Sequence, residues 1–546
     1  MSASKLLMRL AAGLGALAAS VTLASAPASA RVATGVHPYL EVQQVLNADL
    51  ESGDTLTYTA IGAGIDAGVS TRRVRAQISY RYEKRIGWGE DLADSDAHTG
   101  IAQLSADLIP NVLRASAGAL ATRARGDGTG PIFGFTNVDD PAISEVYSFY
   151  LGPDFKKRIG GLDVNASYRF GLVEVDDQRL RGLPLVPGAI RLDRFDSSTN
   201  HSLSASLGMG VGDLPFGWTV AGGYYLEQAD RLDQEFEGRF IRGDIVLPVG
   251  PTLAVTAGVG HEKIESSQQD IVRGPDGSPV VTPGGRLIGD PTKPRLLAYE
   301  TDGLIWDAGV IWRPSRRTEL QARVGRRYGG TTVVGSLSHK INDRYGFSVN
   351  VYDGVETFGR LLVADLAAVP VEFDIRRNPF NGNVGGIGGC VFGSDPGTGA
   401  CFDDAFQSIA GSSFRNRGAS LLFSGGRGPW SFGIGANYSS RHYYQPIVEE
   451  GFALDRRTDE SFGLYAGGTR DLSRTSSVSV DAFANWFDSG IAGADSSFST
   501  GVTGSYYQSF LFDRLQGQAA VGLFTTDNGT FDSTVASALV GLRYGF

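Results

Sequence analysis

Counted back by twos from Phe546, the last stretch of the chain gives Tyr544, Leu542, Val540, Ala538 and Ala536, and the alternate set is Gly545, Arg543, Gly541, Leu539 and Ser537. One set is apolar and ends in two aromatics; the other is mostly small or polar. A period of two marks a strand with one apolar face. The same alternation recurs along the chain. Val74, Ala76, Ile78, Tyr80 and Tyr82 alternate with Arg75, Gln77, Ser79, Arg81 and Glu83, and Leu304, Trp306, Ala308, Val310 and Trp312 with Ile305, Asp307 and Gly309. Val478, Val480, Ala482, Ala484 and Trp486 repeat it late in the chain. The pattern predicts an all-β chain of about 22 antiparallel strands, with 18 or 20 as alternatives because Glu145 to Leu151 and Arg239 to Leu247 alternate poorly.

Each predicted strand is about 10 residues, the length a tilted strand needs to cross a bilayer. Short turns such as Thr71 to Arg73, Pro110-Asn111 and Pro314 to Arg317 alternate with longer acidic or Gly-rich links. Those links include Arg125 to Pro141, Glu174 to Asn200, Glu265 to Asp302 and a long loop over 354–413. Trp218, Trp312, Trp430 and Trp486 fall at the ends of apolar faces, as interfacial aromatics do. A propeller or β-helix is excluded by the lack of a repeat, and a soluble sandwich by these tryptophans.

A strand that ends the chain on Tyr544 and Phe546 resembles the closing strand of Gram-negative outer-membrane β-barrels. The resemblance implies that the terminal aromatics are an assembly signal read by the barrel-assembly machinery. It also implies lipid and lipopolysaccharide around the wall. The opening His37-Pro38-Tyr39-Leu40-Glu41-Val42-Gln43-Gln44, with Asn47 and Asp49 after it, resembles the first strand of barrels associated with exosortase (PEP-CTERM) and exopolysaccharide loci. That resemblance implies polysaccharide-export components as partners; Asn47-Ala48-Asp49 departs from it where an adjacent Asp-Asn pair is the pattern.

Composition agrees with this address. Lys5 and Arg9, an apolar run from Leu10 to Leu23 and Ala28-Ser29-Ala30 read as a signal peptide, 1–30, cleaved near Ala30. That leaves 31–546 as one barrel. Strands beginning near Val36 leave no room ahead of them for a plug domain, which disfavours a TonB-dependent receptor. The formal charge of −10 argues against a nucleic-acid partner, which asks for a basic face.

If the apolar sets face lipid, the opposite sets line a lumen with Arg75, Arg81, Arg114, Arg169, Arg242, Arg323 and Lys340. Against them stand Glu83, Asp107, Asp163, Asp244, Asp307, Glu319 and Asp481. The signs balance, so a polar lumen with cross-strand pairs and weak ion selectivity is expected. His37, His98, His201, His261, His339 and His442 show no zinc spacing. The acidic pairs Asp139-Asp140, Asp176-Asp177, Asp403-Asp404 and Glu449-Glu450 read as solvated loops. No catalytic residue, metal or cofactor is expected.

Cys390 and Cys401, the chain's two cysteines, read as a disulfide in an oxidising compartment. The function expected from these features is a channel or export conduit for polar solutes or polysaccharide. A closed-lumen structural or receptor barrel is the alternative, and a surface hydrolase a more remote one. A barrel this wide needs something to close it, and the segment around Gly354 to Ser413 is expected to fold back over or into the pore.

Overall fold

The computed structural model describes residues 35–88, 95–125, 143–176, 195–212, 214–282, 286–380, 382–383, 389–446, 457–490, 495–527, 529 and 532–546. The expected leader at 1–30 lies outside the described residues, as do Asp139-Asp140, Asp177 and Glu449-Glu450.

Twenty-two antiparallel strands form a single sheet. The first strand, Gly35–Asp49, pairs with the second and also with the last, Asp532–Gly545, setting Leu40 opposite Tyr544 and Leu46 opposite Ala538. The sheet is therefore a closed barrel without an unpaired edge. The 18- and 20-strand alternatives fall. Glu145 to Leu151 lies in the strand Ile143–Ile159, and Arg239 to Leu247 in Gln234–Pro248. Their alternation is blurred because buried Val146 and Tyr150 in the one, and half-buried Phe240 and Val246 in the other, put apolar surface on the inward face.

The outward set is apolar and uncovered. Leu40, Val42 and Leu46 on the first strand and Val540, Leu542, Tyr544 and Phe546 at the chain end are all exposed. No helix among the described residues is long and apolar enough to cross a membrane. A closed ring of strands satisfies its own backbone groups, and with an apolar exterior it is a membrane-crossing architecture.

Apart from the seven-residue link 210–216, the barrel end where Gly35 begins the first strand and Gly545 ends the last carries tight turns of two to four residues. One is Pro110 to Val112, where Asn111 adopts a left-handed φ of 61°. The opposite end carries every long connection, although not every connection there is long: Tyr328-Gly329 joins Thr318–Arg327 to Gly330–Lys340 directly.

The expected long loop over 354–413 is corrected in extent and in character. Strand continues to Glu356 and resumes at Ser413, so the insert is 357–412. It opens with helix α1, Phe358–Ala368, whose first turn is capped by Thr357 accepting from the Arg360 amide at 3.3 Å. Phe358, Leu361, Leu362, Val363 and Leu366 are buried. A hairpin of Cys390–Phe392 against Gly399–Cys401 follows, then a 3-10 turn at Ala405–Gln407. The all-β expectation thus describes the wall but not what the wall encloses.

Candidate functional site

The insert lies inside the barrel. From α1, Val363 reaches the inward side of Gly171, and the Leu366 carbonyl accepts from Gln103 at 2.6 Å. Further on, Phe373 exchanges hydrogen bonds with the Gln77 side chain at 2.7 and 3.2 Å. Arg377 donates to Ser79 at 2.6 Å, and Asn383 bonds the backbone of Arg123. The hairpin touches the other side of the wall. Phe392 stacks on Tyr465 with ring centroids 6.0 Å apart, and the Gly397 amide donates to Ser424 at 2.8 Å.

These contacts also fix the insert's vertical span. Glu372 accepts from Ser70, beside a turn at the chain-end rim, whereas Gln407 bonds Asp459 and the Ser408 carbonyl accepts from Arg441 near the opposite rim. The insert therefore runs down the lumen and returns.

Apolar burial dominates its docking. Phe358, Leu362, Leu366 and Phe373 are all essentially inaccessible, and each such side chain is worth about 1.5–3 kcal/mol on burial, against about 1 for a single hydrogen bond. The wall answers with inward apolar residues that the strand pattern assigned to a polar face. Val45, Tyr58, Leu422, Tyr465, Phe483 and Phe524 cluster with Phe380, Cys390 and Phe392 of the insert. The expectation of a lumen side polar throughout is corrected at these positions, because that side packs on protein.

Cys390 and Cys401 are joined by a disulfide across the hairpin. Their sulfurs lie close over Gly435, where a Cβ would sit 2.7 Å from one of them. A glycine there lets the hairpin approach the wall.

The inward charges fall into separate groups. Arg81 pairs with Glu83 and with Glu41 at 3.2 Å, and Glu83 also holds Arg85 at 2.5 Å, all four buried. Arg242 forks onto Asp244 and reaches Asp307 at 2.9 Å, and Arg323 meets Asp244 at 3.0 Å. Asp481 accepts from the Tyr465 hydroxyl at 2.7 Å, and the Arg169 guanidinium lies over the Tyr150 ring.

Other expected lumen residues stand at the chain-end rim. Arg114 pairs with Asp107, Asp163 with Arg158 and Glu319 with Arg313, each pair at least partly exposed. Arg75 and Lys340 are exposed there too. The rim positions follow from strand length: the inward phase continues past the bilayer into the turns.

Strand periodicity alone missed several inward groups. Arg327 bonds Glu262 at 2.8 Å, and Asp459 takes the Tyr443 hydroxyl at 2.8 Å. The Arg543 guanidinium, in the last strand, pairs with Asp66 and covers the Tyr39 ring. Their signal was present as polar residues in the inward phase, but nothing in the alternation tells a sealed group from a hydrated one.

The histidines are placed by neighbours and not by a shared ligand. His98 and His201 bond the Tyr80 and Tyr168 hydroxyls at 2.7 and 2.8 Å, and His339 bonds Thr318 at 2.7 Å. Among the described residues the one Cys/Asp grouping close enough for a metal is Cys390, Cys401 and Asp403. Its two sulfurs are already bonded to each other, so it is not a thiolate site.

Fold and lumen together define a closed β-barrel with an apolar exterior, its lumen occupied in part by a segment of its own chain. No protein-family model and no curated protein matches it. Solved structures with a similar course include the FrpB iron transporter of Neisseria meningitidis, F5-1 variant, apoprotein form (8% identity, TM-score 0.44, 93% of this chain and 81% of that one). The ferric-catecholate import receptor Fiu of E. coli K12 in its open form is similar at 10% identity and TM-score 0.44, over 93% and 81%. The alcaligin outer membrane receptor FauA of Bordetella pertussis stands at 13% and 0.37, over 96% and 77%. Superpositions this loose leave function to be argued from the chain itself, and they give no support to the exosortase and exopolysaccharide link drawn from the first strand.

Proposed function

We propose that the protein is a non-enzymatic outer-membrane barrel of a Gram-negative cell, a receptor-type gate for a polar solute that its own insert keeps shut. This replaces the channel or export conduit expected from the sequence and takes up its alternative, a closed-lumen receptor barrel. The observation that carries the reading is the insert's double attachment, to Gln77, Gln103 and Ser79 on one side of the wall and to Ser424 and Tyr465 on the other. A barrel of this size left unfilled would pass water and small solutes freely, and docking through buried apolar groups keeps the insert seated without a ligand. The exposed aromatic pair Tyr544 and Phe546 supports the assembly-signal role, and the exposed apolar belt supports contact with lipid and lipopolysaccharide.

Replacing Leu361 to Ser408 with a short Gly-Ser bridge tests the reading in planar bilayers. The intact protein is expected to show little steady conductance and the deletion a large one, with susceptibility to bulky antibiotics rising in cells. Equal conductance of the two, with both correctly folded, would overturn it.

A further inference from the structure

The insert does not cover the lumen evenly. Among the described residues its hydrogen bonds and ring contacts fall on the wall from Thr55–Ser70 round to Gly217–Ala229, reach Phe236 at the top of Gln234–Pro248 through Arg360, and fall again on Tyr345–Glu356 through Thr458–Asp471 and on Phe524 of Leu515–Asp527. Between these sectors stand Leu253–Gln268, Leu296–Ser315, Thr318–Arg327 and Gly330–Lys340, and the lower half of Gln234–Pro248.

Solvent exposure on the inward face of this sector is greatest near the chain-end rim and least at the top, with Thr256, one inward step below the tetrad and 1% exposed, as the exception. Near the chain-end rim Ser336, Ser338 and Asn350 are exposed. Their registers set Ser336 opposite both Gln321 and Asn350, and Ser338 opposite Glu319, which places them in the inward phase. Halfway up, the Arg242, Asp244, Asp307 and Arg323 side chains are 14–31% exposed. On the covered wall Glu41, Arg81, Glu83 and Arg85 are 1–9% exposed, whereas the Asp66–Arg543 pair nearer the chain-end rim is 15–31% exposed. Above the tetrad the face closes: Ile305 is 7% exposed, Glu262 2%, Phe236 1% and Ile264 0%. Val355 seals the top with Phe236 and Ile264, with Tyr225, Tyr299, Tyr328 and Tyr444 packed around them.

The tetrad also lies flat. A Cβ at Gly258 would overlap Arg242 and Asp244, and one at Gly309 would sit 2.7 Å from Arg323. Glycine at these positions draws the four charges against the backbone and leaves the space in front of them to solvent.

We propose that this sector is the solute's way through: a water-filled half-channel open at the chain-end rim, ending at the Arg242–Asp244–Asp307–Arg323 tetrad under an aromatic seal. It rests on the insert being a plug. Two cations and two anions already paired with one another present hydrogen-bonding capacity without net sign, so the class that fits is a hydrophilic solute, neutral or zwitterionic, rather than a simple anion or cation. Passage then needs only the seal around Phe236, Ile264 and Val355 to part, while the insert stays docked on the rest of the wall.

Single cysteines test this cleanly, because the chain's two cysteines are consumed in the disulfide. Ser336→Cys and Ser338→Cys probe the half-channel, and Ser79→Cys, at 0% exposure under Arg377, probes the covered wall. Each full-length variant is refolded, checked for heat-modifiable gel mobility, and treated with a charged methanethiosulfonate, modification being read by mass. Positions 336 and 338 are expected to react about tenfold faster or more than position 79, since thiol reactivity follows access to water. If 336 and 338 react as slowly as 79, the half-channel is overturned while the plug stands. If 79 reacts as fast as the other two in the intact protein, the plug reading itself fails and the half-channel with it.

Discussion

The backbone N–H of Phe546 donates to the carbonyl of Pro38 at 3.1 Å, so the last residue of the chain is bonded to the start of the first strand. One turn of the pleat away, the Phe546 ring meets Tyr544 edge to face with centroids 5.2 Å apart. Barrel closure and the terminal aromatic pair are thus one feature. Deleting Phe546 is expected to lower assembly in cells more than refolding in detergent. Comparing the yield of heat-modifiable barrel in membranes with that from purified, refolded chain checks it; equal losses in both would make the residue structural only.

Val540 is 64% exposed on that same last strand, facing where lipid would be. Val540→Arg is expected to destabilise the folded barrel by about 2–4 kcal/mol if it sits at mid-bilayer, with Val540→Leu close to neutral. Folding titrations into liposomes measure the difference. The inward neighbour Gly541 is not the tolerant control its phase suggests, because a Cβ there would come within 2.8 Å of Gln43.

The Cys390–Cys401 bridge closes a short loop within the insert. On a chain-entropy estimate, opening it releases about 3 kcal/mol of constraint from the undocked state, so the hairpin should leave the wall more often. The expected outcome for Cys390→Ser with Cys401→Ser is faster hydrogen exchange in 390–401 and brief conductance bursts. The strands themselves should be unchanged. Wild-type exchange rates throughout the hairpin would show that Phe392 packing alone holds it.

Gly433 lies under the Phe392 ring, where a Cβ would approach to 2.7 Å. Gly433→Val keeps a good strand former in the wall yet removes the room the insert uses. Conductance is expected to rise toward that of the insert deletion, and trimming the ring in Gly433→Val with Phe392→Ala is expected to lower it again. A silent Gly433→Val would mean that the hairpin seats elsewhere.

Deleting the insert should also expose how the wall treats ions. Arg81 and Arg85 with Glu83 and Glu41, and Arg242 and Arg323 with Asp244 and Asp307, are neutralised within their own groups, so no ring of one sign is left. Reversal potentials of the insert deletion under a salt gradient are expected to sit near zero. A strong preference for cations or anions would place the controlling charge in the outer connections.

The chain's alternation was enough to determine the wall. Val540, Leu542 and Tyr544 could face only one way once the period was two, and the inward phase expected of Arg81 and Asp307 came from the same count. Repeated short turns marked one barrel end and the longer links the other. Even the insert was legible as an anomaly, since an apolar stretch at Leu361 to Val371 is unlike a loop that stands in water.

What alternation cannot carry is distance between strands far apart in sequence. Whether Phe392 finds Tyr465, whether Gln77 meets Phe373, and which sector is left bare depend on the path of 357–412 through an enclosed space. That path is set by shape and by the glycines at 433 and 435, not by any local period. The same limit explains the charges: Arg81 and Arg242 read alike in sequence, both inward on a strand. Only the tertiary structure decided that one is sealed beneath the insert and the other faces water, because burial is a property of what lies opposite.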